Sequence, residues 1–206
     1  MTNRADDVAG DTEIALEHVV LRPGDHVAVF YRGDEERDAF VFPVIAGVIA
    51  ANCWVIFVCD RNEPEQVAER LATESADADV ALERGQLRLV ASTDAYLATG
   101  RFDPYRMVDF YKQAVQAGCA ADYLIPCVIG EMSWSLRRCA GSERLIEYEA
   151  LYAREFDAAR VITLCLYDLN QARGEQIFDL LRLHSRVVLN GIEMHNPRVE
   201  NTLLLG

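Results

Sequence analysis

Lysine is almost missing from this 206-residue chain: Lys112 is the only one among 20 basic side chains. A standard phosphate-binding loop, G-x-x-x-x-G-K-[ST], uses glycine amides and a lysine to hold phosphates after a strand. Here the corresponding stretch reads Arg32-Gly33-Asp34-Glu35-Glu36-Arg37-Asp38, and its acids repel a triphosphate. Positive charge is short overall. A net charge of -13 argues against direct nucleic-acid binding, which needs a positive field to collect phosphates. Paired cysteines are also absent. Cys53, Cys59, Cys119, Cys127, Cys139 and Cys165 contain no CxxC, so neither a disulfide framework nor a zinc site of the usual spacing is expected, and no metal ligands are assigned. No apolar run approaches the ~20 residues of a membrane span, and the acidic start is not a signal peptide. The expected setting is the cytoplasm, away from membranes.

What remains fits one domain. Residues 1–17 carry one arginine against five acids and read as a solvated tail ending in a short helix near Ile14 and Leu16. Residues 18–206 read as a single α/β unit. Short apolar runs at His26–Tyr31, Trp54–Asp60, Gln86–Val90, Tyr123–Ile129, Arg160–Tyr167 and Arg186–Leu189 predict strands. Between them lie helical patterns. One opens on the acids Asp34, Glu35 and Glu36 and continues through Pro43 to Ile49. Another starts at Asn62 and Pro64, a third at Asp103-Pro104, a fourth behind Ser142 with Leu145, Leu151, Tyr152 and Phe156 inward, and a last runs from Glu175 to Leu183. Glu147 and Glu149 are assigned to the solvated side of the fourth. Strands alternating with helices predict a three-layer α/β/α fold around a mainly parallel sheet.

The chain turns on Cys127-Val128-Ile129-Gly130-Glu131-Met132-Ser133-Trp134, where a buried strand gives way to a carboxylate, a hydroxyl and an indole. Ligands of open α/β sheets bind outside the carboxyl ends of the strands. Tyr31, Arg32, Asp60, Glu131, Ser133, Trp134, Tyr167 and Asp168 stand at such ends and form the candidate ligand-binding group. Each has a plainer reading: Glu131 as a cap for the next segment, Trp134 as core, and Arg32 as an ion-pair partner of Asp60 or Glu131.

Together these stretches resemble the MEDS domain, the sensory domain described from methanogens, methylotrophs and a dichloromethane-responsive regulator. The matching pieces are His26 to Tyr31, Gly85-Gln86-Leu87, Tyr96-Leu97, Gly100 to Pro104 with Met107, Gly130 to Trp134, Leu145 to Glu149, and Cys165 to Asp168. They span about residues 24 to 190. His184 is followed by Ser185 where the family pattern has proline. The resemblance implies a RecA/KaiC-like fold with a degenerate P-loop, used as a small-molecule sensor coupled to a kinase, an anti-sigma factor or a transcription regulator. No attached effector domain is recognised, so the expected partner is a separate protein or a second copy of this chain.

The leading expectation is therefore a non-catalytic sensory domain that binds a small molecule, with no cofactor assigned. An atypical nucleotide-binding protein or hydrolase using Glu131 with Asp60 or Asp168 is the alternative. Phosphoryl transfer needs cations around the developing charge, and the loop at 34–38 supplies few. Thiol-based sensing through Cys59, Cys127 or Cys165 would require exposure and a positive neighbourhood that apolar strands do not offer.

Overall fold

A computed structural model describes residues 13–196 apart from His18, Asp122, Arg138 and Ala158, and of His195 only the backbone. In chain order the elements are β1 (Ile14–Ala15), β2 (Val20–Leu21), β3 (His26–Tyr31), α1 (Gly33–Ala50), β4 (Trp54–Cys59), α2 (Pro64–Glu74), α3 (Asp77–Glu83), β5 (Leu87–Ala91) and α4 (Pro104–Cys119). There follow β6 (Pro126–Glu131), α5 (Ser133–Leu136), a 3-10 turn at Ser142–Arg144, α6 (Leu145–Phe156), β7 (Ile162–Asp168), α7 (Gly174–Leu183), β8 (Arg186–Leu189) and β9 (Ile192–His195). The main sheet has seven strands in the order β5-β4-β6-β7-β3-β8-β9. Every pairing in it is parallel except β8 with β9.

Strand alternation builds two cores. On one face Val27, Val29, Val55, Phe57, Ile129, Leu164 and Leu166 meet Val41, Ile45 and Val48 of α1, Leu71 of α2 and Ala81 of α3. On the other, Ala28, Phe30, Ile56, Val58, Val128, Cys165 and Tyr167 meet α4, α6 and α7 through Tyr111, Tyr148, Tyr152 and Leu180. A sheet buried on both faces explains why its strands read as continuous apolar runs. The expected three-layer fold is present, and no helix among the described residues is long and apolar enough to cross a membrane.

Several local expectations are corrected. The segment near Ile14 and Leu16 is a strand, not a helix: Ile14 pairs with Leu21, and both are buried with Val19 against the α1 side of the core. Residues 1–12, the rest of the expected tail, lie outside the described residues. The strand expected at 123–129 runs instead from Pro126 to Glu131, because Leu124 faces solvent while Gly130 and Glu131 still pair with Cys165 and Leu166. Helix α3 and strand β9 have no counterpart in the sequence reading. Strand β9 follows a two-residue turn in which Asn190 and Gly191 both have positive φ (51° and 72°), the geometry that favours Asn-Gly in hairpins.

Candidate functional site

Topology puts a crevice at the carboxyl ends of β4 and β6, whose outgoing connections lead in opposite directions, to β5 and to β7. Glu131, the last residue of β6, fills it. Its Oε2 accepts the backbone amides of Asp60 and Arg61 at 2.8 and 3.1 Å. Its Oε1 accepts Arg37 Nη1 at 2.8 Å, and the hydroxyls of Tyr31 and Ser133 stand 3.3 and 3.2 Å from the same oxygen and 3.1 Å from one another. The Arg37 guanidinium also donates to Asp38 at 2.8 Å, to Asn62 at 2.7 Å and to Asp34 at 3.3 Å. Tyr31, Arg37, Glu131 and Ser133 are each at most 2 % exposed.

Burial, and then the Glu131 charge, pushes the Tyr31 phenol far above its ordinary range, so it stays neutral and acts through its hydrogen bonds. Burial disfavours the Arg37 charge, but Glu131 and Asp38 outweigh it and shift the guanidinium upward. Arg37 is therefore the central cation of this edge, although in the sequence it stands among the acids Asp34, Glu35, Glu36 and Asp38. Between β3 and α1 the connection is the single residue Arg32. Gly33 follows at φ +74°, and three acids fill the first turn of α1.

The remaining candidate residues do not join this group around one cup. The Asp60 side chain is held by Ser92 at 2.6 Å and by both terminal nitrogens of Arg137 at 2.6 and 2.7 Å. Arg32 is exposed and donates to Asn190 at 2.9 Å, not to Asp60 or Glu131. Trp134 turns to the α4 and α6 face, 4.3 Å from the Phe102 ring and 4.9 Å from Tyr96 between centroids, so the indole packs there in an aromatic cluster. Asp168 caps the turn after β7, accepting Asn170 N at 2.9 Å and Gln171 Nε2 at 2.8 Å. Tyr167, on the opposite face from Glu131, donates to Glu149 at 2.7 Å.

That last contact leads to a second cluster, toward the amino edge of the sheet. Glu149, expected on the solvated side of α6, is fully buried. It lies four residues after Leu145 and three before Tyr152, on the inward stripe, and this phase was legible in the sequence. Its Oε2 is 3.4 Å from His26 Nε2, 3.6 Å from His184 Nε2 and 3.8 Å from Cys165 Sγ. His26 and Cys165 come together because β3 and β7 pair with His26 opposite Thr163 and Ala28 opposite Cys165, which puts both side chains on the α6 face. Burial pulls the Glu149 carboxyl upward, yet His26, His184 and Tyr167 outweigh it and its pKa falls below the usual range. Burial and the neighbouring His26 hold His184 at about 4, so its imidazole is neutral near pH 7.

Beside His26 opens a cavity of about 150 Å3 whose walls include Tyr152, Phe156, Thr163 and Leu183. The cysteines named as thiol candidates are all buried. Burial raises Cys59, Cys127 and Cys165 well above the ordinary thiol range, with Glu131 and Glu149 adding to the effect at Cys59 and Cys165 respectively, which makes them poor nucleophiles.

Solved structures similar to this one share the architecture at low identity. The flagellar accessory protein FlaH from Methanocaldococcus jannaschii superposes with a TM-score of 0.61 at 10% identity, over 85% of this chain and 78% of that one. A KaiC-like protein from Pyrococcus horikoshii OT3 gives 0.60 at 12%, over 80% and 71%. Another Pyrococcus horikoshii protein, in complex with an unknown peptide, gives 0.64 at 11%, over 81% and 77%. These likenesses establish a RecA/KaiC-like fold. No curated protein matches the sequence closely enough to count as a relative. The profile of the MEthanogen/methylotroph, DcmR Sensory domain matches residues 25–185, and the chain therefore belongs to the MEDS family of sensory domains.

Proposed function

We propose that this chain is a non-catalytic sensor that takes up a small molecule and reports it to a separate signalling protein, such as a kinase, an anti-sigma factor or a transcription regulator, or to a second copy of itself. The observation that carries this reading is the state of Glu131. Two backbone amides and Arg37 already bind its carboxylate, and the hydroxyls of Tyr31 and Ser133 stand beside it, so its oxygens are occupied by the protein and not presented to a substrate. The one-residue connection before α1 leaves no loop to wrap phosphates, and the acids of its first turn oppose a nucleotide's charge. A hydrolase built on Glu131 with Asp60 or Asp168 meets the same objection, because Asp60 is clamped by Arg137 and Asp168 is spent on a turn. The cavity beside His26 combines an apolar wall of Tyr152, Phe156, Val161 and Leu183 with the polar side chains of Asp25, Asp157, Thr163 and Ser185, a mixture suited to a small polar molecule.

Calorimetry tests this with magnesium-ATP and a panel of small polar metabolites. Magnesium-ATP is expected to give no heat and no turnover. At least one small molecule is expected to bind, with affinity lost in Ala153→Trp, which fills the cavity from its α6 wall. ATP turnover that disappears in Glu131→Gln, or a panel that stays silent, overturns the reading.

A further inference from the structure

We infer that His26, Glu149, Cys165 and His184 form a binding site for one divalent transition-metal ion, zinc being the best match. Their four donor atoms lie within 4.8 Å of one another. A tetrahedral ion with bonds of about 2.0–2.3 Å has ligand-to-ligand edges of roughly 3.3–3.8 Å. The separations here are 3.4 Å for His26 Nε2 to Cys165 Sγ, 3.4 Å for His26 Nε2 to Glu149 Oε2, 3.6 Å for His184 Nε2 to Glu149 Oε2 and 3.8 Å for Cys165 Sγ to Glu149 Oε2. Those are four of the six edges of such a tetrahedron, and the other two, from His184 Nε2 to His26 and to Cys165, are within 4.8 Å. The two imidazole-to-carboxylate separations, 3.4 and 3.6 Å, are long for direct hydrogen bonds, since a good N–H···O contact is about 2.9–3.0 Å.

A second, independent observation points to a ligand. His184 is fully buried, and its Nε2 has no hydrogen-bond partner among the described residues. Its Nδ1 lies 2.9 Å from the Leu180 carbonyl, which can only accept. That contact puts the proton on Nδ1 and leaves the Nε2 lone pair unused, 3.6 Å from Glu149 Oε2. Metal-bound histidines are oriented in this way by their second nitrogen. Glu149 is prepared too: Tyr167 donates to Oε1 at 2.7 Å, leaving Oε2 for one-oxygen coordination.

The donor set selects the ion. Two imidazoles, a thiolate and a carboxylate suit zinc and its neighbours, whereas magnesium and calcium prefer oxygen alone. On binding, Cys165 gives its thiol proton to solvent. The thiolate and carboxylate then balance the dication, so the buried site is neutral, as burial of charge requires. No cysteine spacing motif announces the site, because its ligands come from β3, α6, β7 and the end of α7. His26 is the one ligand that is not buried, and it borders the cavity proposed above to admit the signal. For that route of access the inference rests on the sensor reading, and a small molecule in the cavity would meet the ion from the His26 side.

The test uses the full chain, stripped with a chelator and titrated with zinc and, separately, with cobalt as a spectroscopic probe. One equivalent is expected to bind. Cobalt should show the visible bands of a tetrahedral ion and a thiolate charge-transfer band, and zinc should raise the melting temperature. Cys165→Ser should abolish the charge-transfer band, and Cys165→Ser and His184→Gln should each weaken zinc by at least about tenfold. Cys119→Ser with Cys139→Ser, which removes the cysteines that are not buried, should change nothing. Less than stoichiometric uptake, an octahedral cobalt spectrum, or zinc affinity unmoved by Cys165→Ser overturns the inference. The wild-type spectrum decides even if a variant fails to fold. Metabolite binding without zinc uptake removes the metal and leaves the sensor; zinc uptake with a silent metabolite panel does the reverse.

Discussion

Glu131 and Arg37 form a buried pair in which each partner makes the other tolerable. Removing one member of such a pair strands a charge where water cannot reach it, at a cost of about 3–5 kcal/mol. Arg37→Met and Glu131→Leu are each expected to lose stability of that order in urea unfolding. The double variant should lose less than the sum, by about 0.5–3 kcal/mol of coupling. Strictly additive losses would mean that the two side chains do not act as a pair. Glu131 was visible in the sequence because a carboxylate ending an apolar strand is unusual. Arg37 was hidden among acids, and the fact that it is buried follows only from α1 packing across the end of β6. Glu149 was misread for a different reason: its charge was weighted above its phase on the helix.

At the scale of elements, local chemistry was a good guide where it acts locally. Asp103 caps α4, its Oδ1 accepting the amides of Tyr105 and Arg106 at 3.0 and 3.1 Å, and Pro104 occupies the first turn as the sequence predicts. Those amides, chiefly that of Arg106, and then Arg144 hold its pKa below 3.8. The capping contribution is therefore complete above the unfolded value near 3.8 and is lost as pH falls through the lower folded value. Asp103→Ala should cost about 1 kcal/mol at neutral pH. Asp103→Asn should retain most of the cap while flattening the acid limb of the stability profile, and an unchanged limb would discount Asp103 as its source. Strand β6 was harder to read, because Gly130 looked like a terminator. It is a strand residue whose missing side chain leaves space for the hydroxyl of Tyr96, bonded in turn to Tyr111 at 2.7 Å. That requirement comes from the aromatic cluster and cannot be seen in residues 126–131 alone.

For the molecule as a whole, the family match begins at residue 25, yet the buried structure starts earlier. Ile14, Val19 and Leu21 of the first hairpin are at most 5 % exposed, and Leu16 sits over the bare Cα of Gly47 in α1. Burying such side chains is worth about 1.5–3 kcal/mol each. A chain begun at Arg22 should therefore melt well below one begun at Glu13, and equal melting temperatures would make the hairpin dispensable. The sequence by itself determined the fold class, because the periods of 2 and 3.6 and the helix caps arise from interactions a few residues apart. It also placed the carboxyl ends of the expected strands to within two residues, β6 being the furthest out at Glu131 against Ile129. Only the tertiary structure decided how those ends are used. Alternation along paired strands sends Tyr31 and Glu131 toward α1 but His26, Cys165 and Tyr167 toward α6, and strand order sets which residues a hundred or more positions apart become neighbours. Of the expected cup, Tyr31, Glu131 and Ser133 thereby meet in a closed network at the carboxyl edge, while Tyr167 turns away to Glu149 and the cluster it forms with His26, Cys165 and His184 toward the amino edge.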